Sequence, residues 1–434
     1  MATPQSAIDN PQSAIGSTPT RRVFVKATAA ATMAALGPNF AHAAGDEVIR
    51  VGLIGCGGRG GGAANDVLKA SPATRIVALG DLFKDRLDGV RGRLTNKDNP
   101  NAARVDLPDH RCFVGFDAYK QVIDCGVDLV VLATPPGFRP VHMKYAADAS
   151  KHMFVEKPVA TDAPGVRLVM EVGKIAERKK LGIVAGTQRR HQSGYVQTIQ
   201  RIHDGAIGQV MGGQVYWCQG GLWKKPREQG WSDMEWQIRN WLYFTWLSGD
   251  HIVEQHVHNL DVMCWVMNAH PTAAYGMGGR QVRTEPVYGN IFDHFTIEYE
   301  FANGARWLSM CRQIDGTDGR NGERAFGTKG TANPGGSIKI DGETWKAPGG
   351  GMGAYQQEHA DLVASILAGK PLNEAQQVAE STLVGIMGRM SAYTGKQVTW
   401  EQAMNSKQSL VPEKMKFGPL PAAPVAVPGR DPLV

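Results

Sequence analysis

The stretch that most constrains the fold of this chain is an apolar run that leads directly into a glycine-rich turn. Residues 49–54 (IRVGLI) are followed by GCGGRG at residues 55–60, and a second apolar run at residues 76–79 ends just before Asp81. The order strand, glycine turn, helix, strand and acid is the context in which such a turn binds the phosphates of a dinucleotide. The sequence therefore predicts a βαβ unit of a nucleotide-binding sheet.

Short apolar runs continue to alternate with helix-like segments up to about residue 187, which is typical of a parallel sheet covered on both faces. The predicted strands are residues 49–54, 76–79, 129–133, 153–155 and 183–185, and the predicted helices are residues 63–69, 118–124, 140–149 and 164–179. We therefore assign residues 48–187 to a Rossmann domain, a doubly wound parallel sheet.

The pattern changes after residue 188, where strand-like runs follow one another. Strands are predicted at residues 210–216, 295–301, 305–310, 323–327 and 337–340, and helices at residues 355–368 and 380–393. Asn303-Gly304 is a hairpin signal between two of these strands. The fold class is thus α/β plus α+β, with residues 188–404 forming a substrate-binding domain on an open, mostly antiparallel sheet. A proline-rich tail at residues 405–434 is predicted to lie extended over the surface.

Residues 1–43 have the composition of an export signal. A polar leader precedes Arg21-Arg22, residues 27–36 are apolar and rich in alanine, and Ala41-His42-Ala43 offers a cleavage site of small residues. The paired arginines resemble a twin-arginine signal, whose machinery exports proteins that are already folded. We expect a periplasmic protein with no membrane segment in its mature form. A disordered basic leader is the alternative.

The charge of the chain limits its partners. The net charge is +6 over 434 residues, and no basic run is longer than residues 178–180. A balance this mild argues against nucleic acid or an anionic membrane as a partner.

The glycine turn and the acid beyond it are the predicted cofactor site. The predicted contacts in the turn are Gly55, Gly57, Gly58, Arg59 and Gly60. Their amides and the positive end of the following helix meet the charge of a pyrophosphate. A carboxylate at Asp81 accepts hydrogen bonds from the ribose diol and repels a 2′-phosphate, so the predicted cofactor is NAD. In the alternative, Asp81 only caps the next helix. Gly61 and Gly62 are unusual inside a helix and predict a longer turn.

Two further motifs point to a family. One is Ala133-Thr134-Pro135-Pro136 with His142 downstream, and the other is KHMFVEKP at residues 151–158. With the glycine turn, they resemble the Gfo/Idh/MocA family, which is named after glucose-fructose oxidoreductase, inositol 2-dehydrogenase and MocA, over residues 48–404. The resemblance implies an NAD-dependent oxidoreductase acting on CH-OH groups. It adds Thr134, Pro135, His142, Glu156 and Lys157 to the predicted cofactor contacts.

The resemblance gives Lys157 a catalytic role. In the family, the lysine of Glu-Lys-Pro lies between nicotinamide and substrate, so Lys157 is expected to hydrogen-bond the reacting hydroxyl. A cis peptide bond before Pro158 is expected to direct Lys157 into the cleft.

The segment EQHVHNLD at residues 254–261 supplies the rest of the implied active site. Family members carry an acid, a histidine four residues later and an aspartate three residues beyond, which correspond to Glu254, His258 and Asp261. On one helix these offsets share a face. The resemblance implies that His258 is the general base and that Glu254 orients its imidazole. The family more commonly has aspartate at the position of Glu254.

The same segment also allows a metal site. In an extended backbone Glu254, His256 and His258 would share a face, and a carboxylate with two imidazoles suits zinc or manganese. The apolar run at residues 262–267 favours a helix instead.

Six of the ten tryptophans lie within residues 217–246, interleaved with lysine and arginine. Indole faces pack against sugar rings, so the cluster predicts a carbohydrate cleft, although it could also fasten a long loop to the body. The predicted substrate contacts are Trp241 from this cluster, Asp261, and Arg190 and Tyr195 after the last Rossmann strand.

These features lead to one principal expectation. We expect an exported oxidoreductase that acts on a ring hydroxyl of a sugar, glycoside or cyclic polyol, and that holds its NAD tightly and recycles it internally. One alternative is an NAD-retaining glycosidase that works by transient oxidation, elimination, hydration and re-reduction. The other is a non-catalytic sugar-binding relative, which the intact Lys157, Glu254 and His258 disfavour. By analogy with the family, a homo-oligomer is expected.

Overall fold

Two sheets organise residues 48–432, the part of the chain that the computed structural model describes. The predicted export signal at residues 1–43 lies outside these residues. Within them, no helix has the length and apolar character needed to cross a membrane.

The first sheet has six parallel strands in the order β3-β2-β1-β4-β5-β6. The strands are β1 (Ile49–Ile54), β2 (Thr74–Asp81), β3 (Cys112–Val114), β4 (Leu129–Leu132), β5 (His152–Val155) and β6 (Ile183–Ala185). The helices between them are α1 (Gly58–Ala70), α2 (Lys84–Leu94), α3 (Ala118–Asp124), α4 (Arg139–Asp148) and α5 (Ala163–Lys179). The predicted doubly wound Rossmann sheet is confirmed. The prediction missed β3, which is short, and α2, which buries only three residues.

Helix α1 begins earlier than predicted, at Gly58 instead of residue 63. Gly61 lies inside it and faces α2, where a Cβ would come within 3.2 Å of Nη2 of Arg93. Glycine in this helix therefore permits a close approach between α1 and α2, and the prediction of a longer turn is wrong.

The second sheet has nine strands in the order β14-β13-β12-β11-β7-β10-β9-β8-β15. The strands are β7 (Val210–Gln219), β8 (Ala273–Gly279), β9 (His294–Glu300), β10 (Arg306–Gln313), β11 (Arg320–Gly327), β12 (Thr331–Asn333), β13 (Ser337–Ile340), β14 (Glu343–Lys346) and β15 (Val398–Thr399). Of these pairings only β7 with β10 is parallel, as expected for a mostly antiparallel sheet. The hairpin signal is also confirmed, with Gly304 at φ +82° between β9 and β10.

The remaining helices all follow β6 in the chain. They are α6 (Ser193–His203), α7 (Asp233–Arg239), α8 (Thr245–Ser248), α9 (His251–Glu254), α10 (Val257–Met267), α11 (Ala354–Leu367), α12 (Ala375–Thr394) and α13 (Trp400–Asn405). In α12, Arg389 donates to the carbonyls of Thr161 and Gly249, at 2.9 Å each. Thr161 lies shortly after Lys157 in the chain, and Gly249 lies shortly before Glu254. Arg389 of α12 therefore fixes both segments that carry the predicted catalytic groups.

Candidate active site

A cavity of about 510 Å³ opens at the carboxyl ends of β1, β2 and β4, which is where doubly wound sheets bind ligands. Its lining includes nine of the predicted cofactor contacts, namely Gly55, Gly57, Gly58, Arg59, Gly60, Asp81, Thr134, Pro135 and His142. The other two, Glu156 and Lys157, lie outside the lining, in the loop after β5.

The glycine turn fits a bound pyrophosphate. A Cβ on Gly57 or Gly58 would meet no protein atom within 4 Å, so space lies open above the turn. No side chain caps α1 and its first turn has no acidic residue, which leaves its amides available to an anion. In contrast, a Cβ on Gly60 would lie 1.8 Å from the carbonyl oxygen of Gly55, so this glycine is required by packing.

Asp81 joins the glycine turn to the loop that follows β2. Its Oδ2 accepts a hydrogen bond from the amide of Cys56 at 2.6 Å, and its Oδ1 accepts one from the amide of Phe83 at 2.8 Å. Burial raises the pKa of Asp81, and the two amide bonds act in the opposite direction. Asp81 therefore orders the glycine turn while its carboxylate lines the cavity, and it does more than the capping alternative supposed.

His142 is a neutral wall of the cavity. Burial, with the nearby Arg139 cation, lowers its pKa to about 3. Its ring stacks on Tyr119 at 4.1 Å between centroids, and its Nδ1 lies 3.3 Å from Oγ1 of Thr134. An uncharged imidazole here presents no cation to a ligand.

Arg59 joins the glycine turn to the loop that carries Lys157. Its guanidinium pairs with Glu156 and with Glu358 of α11, the latter at 3.3 Å. Both carboxylates are almost fully buried, and the Arg59 guanidinium also lies over the ring of Tyr355. The sequence contained no local signal for Glu358, because it lies about 300 residues from Arg59.

Lys157 lies where the two halves of the chain meet. The peptide bond between Lys157 and Pro158 is cis, as the resemblance implied. The ammonium donates to the backbone carbonyl of Glu254 at 2.5 Å and lies 3.1 Å from Oε1 of the Glu254 carboxylate. Glu254 thus holds Lys157, and in the described residues no hydrogen bond joins Glu254 to His258.

His258 is 7% exposed, and its ring stacks on that of Trp217 with 5.6 Å between the ring centroids. Burial, followed by the Lys157 cation, lowers the pKa of His258 well below its ordinary value. Its Nδ1 has no hydrogen-bond partner among the described residues. The imidazole is therefore neutral near pH 7 and has an unused nitrogen.

The acid, histidine and aspartate do not share one helix. Helix α9 ends at Glu254 and α10 begins at Val257, so a turn separates the first residue from the other two. Asp261 is 1% exposed and accepts two bonds from Nε and Nη2 of Arg190, at 2.8 and 2.9 Å. The hydroxyl of Ser381 also donates to Asp261 at 2.6 Å. Two predicted substrate contacts are thus bonded to each other as a buried ion pair.

A polar network beside His258 was not predicted. Arg189 pairs with Glu323 on β11. Glu323 also accepts a hydrogen bond from the hydroxyl of Tyr195 at 3.1 Å and one from the side-chain amide of Asn259 at 2.8 Å. Tyr195, a predicted substrate contact, is therefore fixed by Glu323. Arg189 also lies over the ring of Trp217. These contacts join five separate segments of the chain, so no single sequence motif contains them: Arg189, Tyr195, Trp217, Asn259 and Glu323.

The metal hypothesis does not match the observed backbone. Residues 254–258 form helix and turn instead of an extended strand. His256 is fully buried with its Nε2 bonded to Ser309 at 2.8 Å, and burial lowers its pKa to about 3. Across residues 48–432 no group of three histidine, cysteine, aspartate or glutamate residues has a metal-binding arrangement.

The tryptophans of residues 217–246 divide among several roles. Trp223 and the predicted substrate contact Trp241 line the same cavity as the glycine turn. Trp236 and Trp246 donate their indole hydrogens to the carbonyl of Lys225 and the side chain of Gln237, at 2.9 and 2.7 Å. The loop-fastening interpretation therefore describes these two residues.

Comparison with known proteins agrees with this architecture. The family model described as an oxidoreductase family with an NAD-binding Rossmann fold matches residues 49–186, and the model of the GFO/IDH/MocA C-terminal domain matches residues 195–333. The crystal structure of an aldose-aldose oxidoreductase from Caulobacter crescentus has a TM-score of 0.64 at 17% identity, and the alignment covers 81% of this chain and 99% of that one. That likeness is one of fold.

Two curated relatives are similar over part of their length. A glycosyl hydrolase family 109 protein from Streptomyces coelicolor is 28% identical over 39% of this chain and 34% of its own. The scyllo-inositol 2-dehydrogenase (NAD(+)) from Bacillus subtilis is 25% identical over 60% of this chain and 66% of its own. This chain thus spans between a third and two thirds of these relatives. Together, the two family models, the fold and the cofactor cavity establish that the chain belongs to the Gfo/Idh/MocA family of oxidoreductases, with an NAD-binding Rossmann domain.

Proposed function

We propose that this protein oxidises a ring hydroxyl of a cyclic polyol, sugar or glycoside with NAD. The observation that carries the proposal is the convergence of Lys157, Glu254 and a neutral His258 beside the loop that Arg59 joins to the glycine turn. The similarity to a scyllo-inositol 2-dehydrogenase (NAD(+)) supports a cyclic polyol as the class of substrate.

The side chains of the site suit proton transfer from a hydroxyl. NAD, when bound, supplies the hydride acceptor. Lys157 has three donor hydrogens, and its two contacts with Glu254 use no more than two of them. The third hydrogen is available to a substrate hydroxyl. That bond eases loss of the hydroxyl proton, and the neutral imidazole of His258 accepts it. Trp217, which stacks on His258, and Arg189, which lies over Trp217, form a surface against which a substrate ring can pack.

The first test combines cofactor identification with a substrate screen. Protein purified without added nucleotide is denatured and its released nucleotide identified by mass spectrometry. The native protein is then mixed with NAD and a panel of cyclic polyols, aldoses and glycosides, and reduced nicotinamide is followed by absorbance. Formation of reduced nicotinamide with one class, abolished in Lys157→Met, is expected; no reaction with any class would count against the proposal.

A second candidate is glycoside hydrolysis with no net redox change, supported by the similarity to a glycosyl hydrolase family 109 protein. The balanced reaction consumes one water and releases the aglycone and the free sugar, while the cofactor ends each turnover as it began. Release of aglycone without accumulation of reduced nicotinamide, and incorporation of solvent deuterium into the sugar ring, would favour this candidate over the first.

We further propose that residues 1–43 export the folded protein to the periplasm through the twin-arginine machinery. Support comes from the paired arginines and the alanine-rich run. Since NAD would be loaded before export, a tightly held and internally recycled cofactor follows. A reporter fused to residues 1–43 should reach the periplasm, and Arg21→Lys with Arg22→Lys should retain it in the cytoplasm.

A homo-oligomer is also proposed, through the open face of the second sheet. Tyr275 and Met277 of β8 are 58% and 67% exposed, and Met277 is in register with Thr296, which is in register with the exposed Met310. Exposed apolar side chains on one sheet face are typical of an interaction surface. Light scattering should give a mass above that of one chain, and Met277→Lys with Met310→Lys should reduce it to that of a monomer.

A further inference from the structure

The cofactor cavity has an outer wall that comes from the second half of the chain. Besides the Rossmann residues, its lining includes Trp223, Lys224, Lys225, Ile238, Arg239 and Trp241. We propose that this wall, residues 222–241, retains the dinucleotide, that Lys225 contacts its phosphates, and that the C-terminal tail keeps the wall closed.

Lys225 is the cation of this wall best placed to meet a phosphate. The ammonium of Lys224 donates to the hydroxyl of Tyr288 at 2.9 Å, and Arg239 pairs with Glu235 and Asp85, at 3.0 and 3.2 Å. Within residues 48–432 the side chain of Lys225 forms neither an ion pair nor a hydrogen bond; its backbone amide is fixed by Asn240 at 2.8 Å. Because Lys225 lines the same cavity as the uncapped N terminus of α1, its free ammonium provides a second source of positive charge for a pyrophosphate.

The wall is closed against the Rossmann half by an aromatic contact. Phe83 follows Asp81 by two residues and lines the cavity, and the guanidinium of Arg239 lies 3.7 Å from the centroid of its ring. Phe417 of the tail stacks on Phe83, with 6.0 Å between the ring centroids, and its centroid lies 5.0 Å from that of Phe116. Phe116 also lines the cavity, so Phe417 packs behind two cavity residues at once.

The tail also holds α7, the helix that carries Ile238 and Arg239 into the cavity. The amide of Leu420 donates to Asp233 at 3.0 Å, and its carbonyl accepts from the side chain of Gln237 at 2.5 Å. The amide of Met234 donates to the carbonyl of Gly418 at 3.3 Å. Because three bonds join the tail to α7, opening the wall for cofactor exchange requires the tail to be displaced as well, which predicts slow dissociation.

The test measures cofactor exchange and does not depend on turnover. Wild-type holoprotein and the variants Lys225→Met and Lys224→Met are incubated with isotopically labelled NAD, and the bound nucleotide is analysed by mass spectrometry over time. Titration calorimetry on the nucleotide-free proteins gives Kd. Loss of a charge-assisted bond should raise Kd about tenfold in Lys225→Met. Lys224→Met should change it less than about twofold, since Tyr288 occupies that ammonium.

A second pair tests the tail. Phe417→Ala should accelerate exchange about tenfold, as expected when roughly 1.4 kcal/mol of closed-state packing is lost. Val427→Ala, an exposed tail residue away from these contacts, should exchange like wild type. Wild-type exchange rates in both Lys225→Met and Phe417→Ala would overturn the proposal, as would equal weakening by Lys224→Met and Lys225→Met. Failure to turn over any polyol would not affect it, because it depends on NAD binding alone.

Discussion

The ammonium of Lys157 lies 3.1 Å from the carboxylate of Glu254, although the two residues are 97 positions apart in the sequence. Both side chains are about nine-tenths buried, so the pair is screened less than a surface ion pair would be. The acid predicted to orient the histidine therefore orients the lysine. Glu254 is a positioning residue for Lys157 in this arrangement.

Substitution of this pair should separate chemistry from cofactor binding. Lys157→Met should lower kcat about 10²- to 10⁴-fold, since it removes the hydroxyl contact, while Kd for NAD changes little. Glu254→Gln keeps the shape but removes the negative charge, and we expect about a tenfold loss in kcat with a shifted pH profile. Steady-state kinetics and calorimetry measure both effects. Near-wild-type kcat in Lys157→Met would contradict the assigned role.

Two glycines of the turn should respond differently to alanine. At Gly58 a methyl group meets no protein atom and favours the helix, so Gly58→Ala should keep or slightly raise Tm while weakening NAD binding at least about tenfold. At Gly60 the methyl group would collide with the carbonyl of Gly55, so Gly60→Ala should lower Tm even without nucleotide. Thermal melts with and without NAD distinguish the two. Identical behaviour of the variants would be inconsistent with a pyrophosphate above Gly58.

The ion pair between Arg190 and Asp261 should contribute to stability. Asp261→Ala leaves a buried guanidinium without its partner and should lower the free energy of unfolding by about 3–5 kcal/mol. Denaturant titration provides the measurement. If Asp261→Ala instead retained full stability and only raised KM, a direct substrate contact would be the better description.

Acid should destabilise the fold through buried histidines. His142 and His256 have pKa values of about 3, well below the ordinary value of 6.5 that applies in the unfolded chain. Between these values the unfolded state binds protons that the native state does not, so stability falls as pH falls, by about 1.4 kcal/mol per pH unit for each histidine. Urea titrations at pH 6.5, 5.5 and 4.5 should show this slope. His256→Gln should reduce it by one histidine's share, and an unchanged slope would contradict the assignment.

Local patterns were sufficient for much of the Rossmann half. β1 (Ile49–Ile54) and β6 (Ile183–Ala185) were predicted to the residue, because parallel strands buried on both faces are continuous apolar runs. The glycine turn and Asp81 were predicted as neighbours because their contact is made within one βαβ unit. The sequence pattern does not predict helix α2, because its exposed surface is rich in charge and its apolar face has only three buried residues.

The sequence by itself determined the βαβ order and the cofactor turn, and its resemblance to the family pointed to Lys157, Glu254 and His258, since each of these features depends on residues close together in the chain. Only the tertiary structure decided what those groups contact. Lys157 meets Glu254, Asp261 is taken by Arg190, and Trp241 joins the cofactor wall. The physical reason is that a buried charge must find a partner in space, and the partner comes from whichever element the fold brings within hydrogen-bond distance.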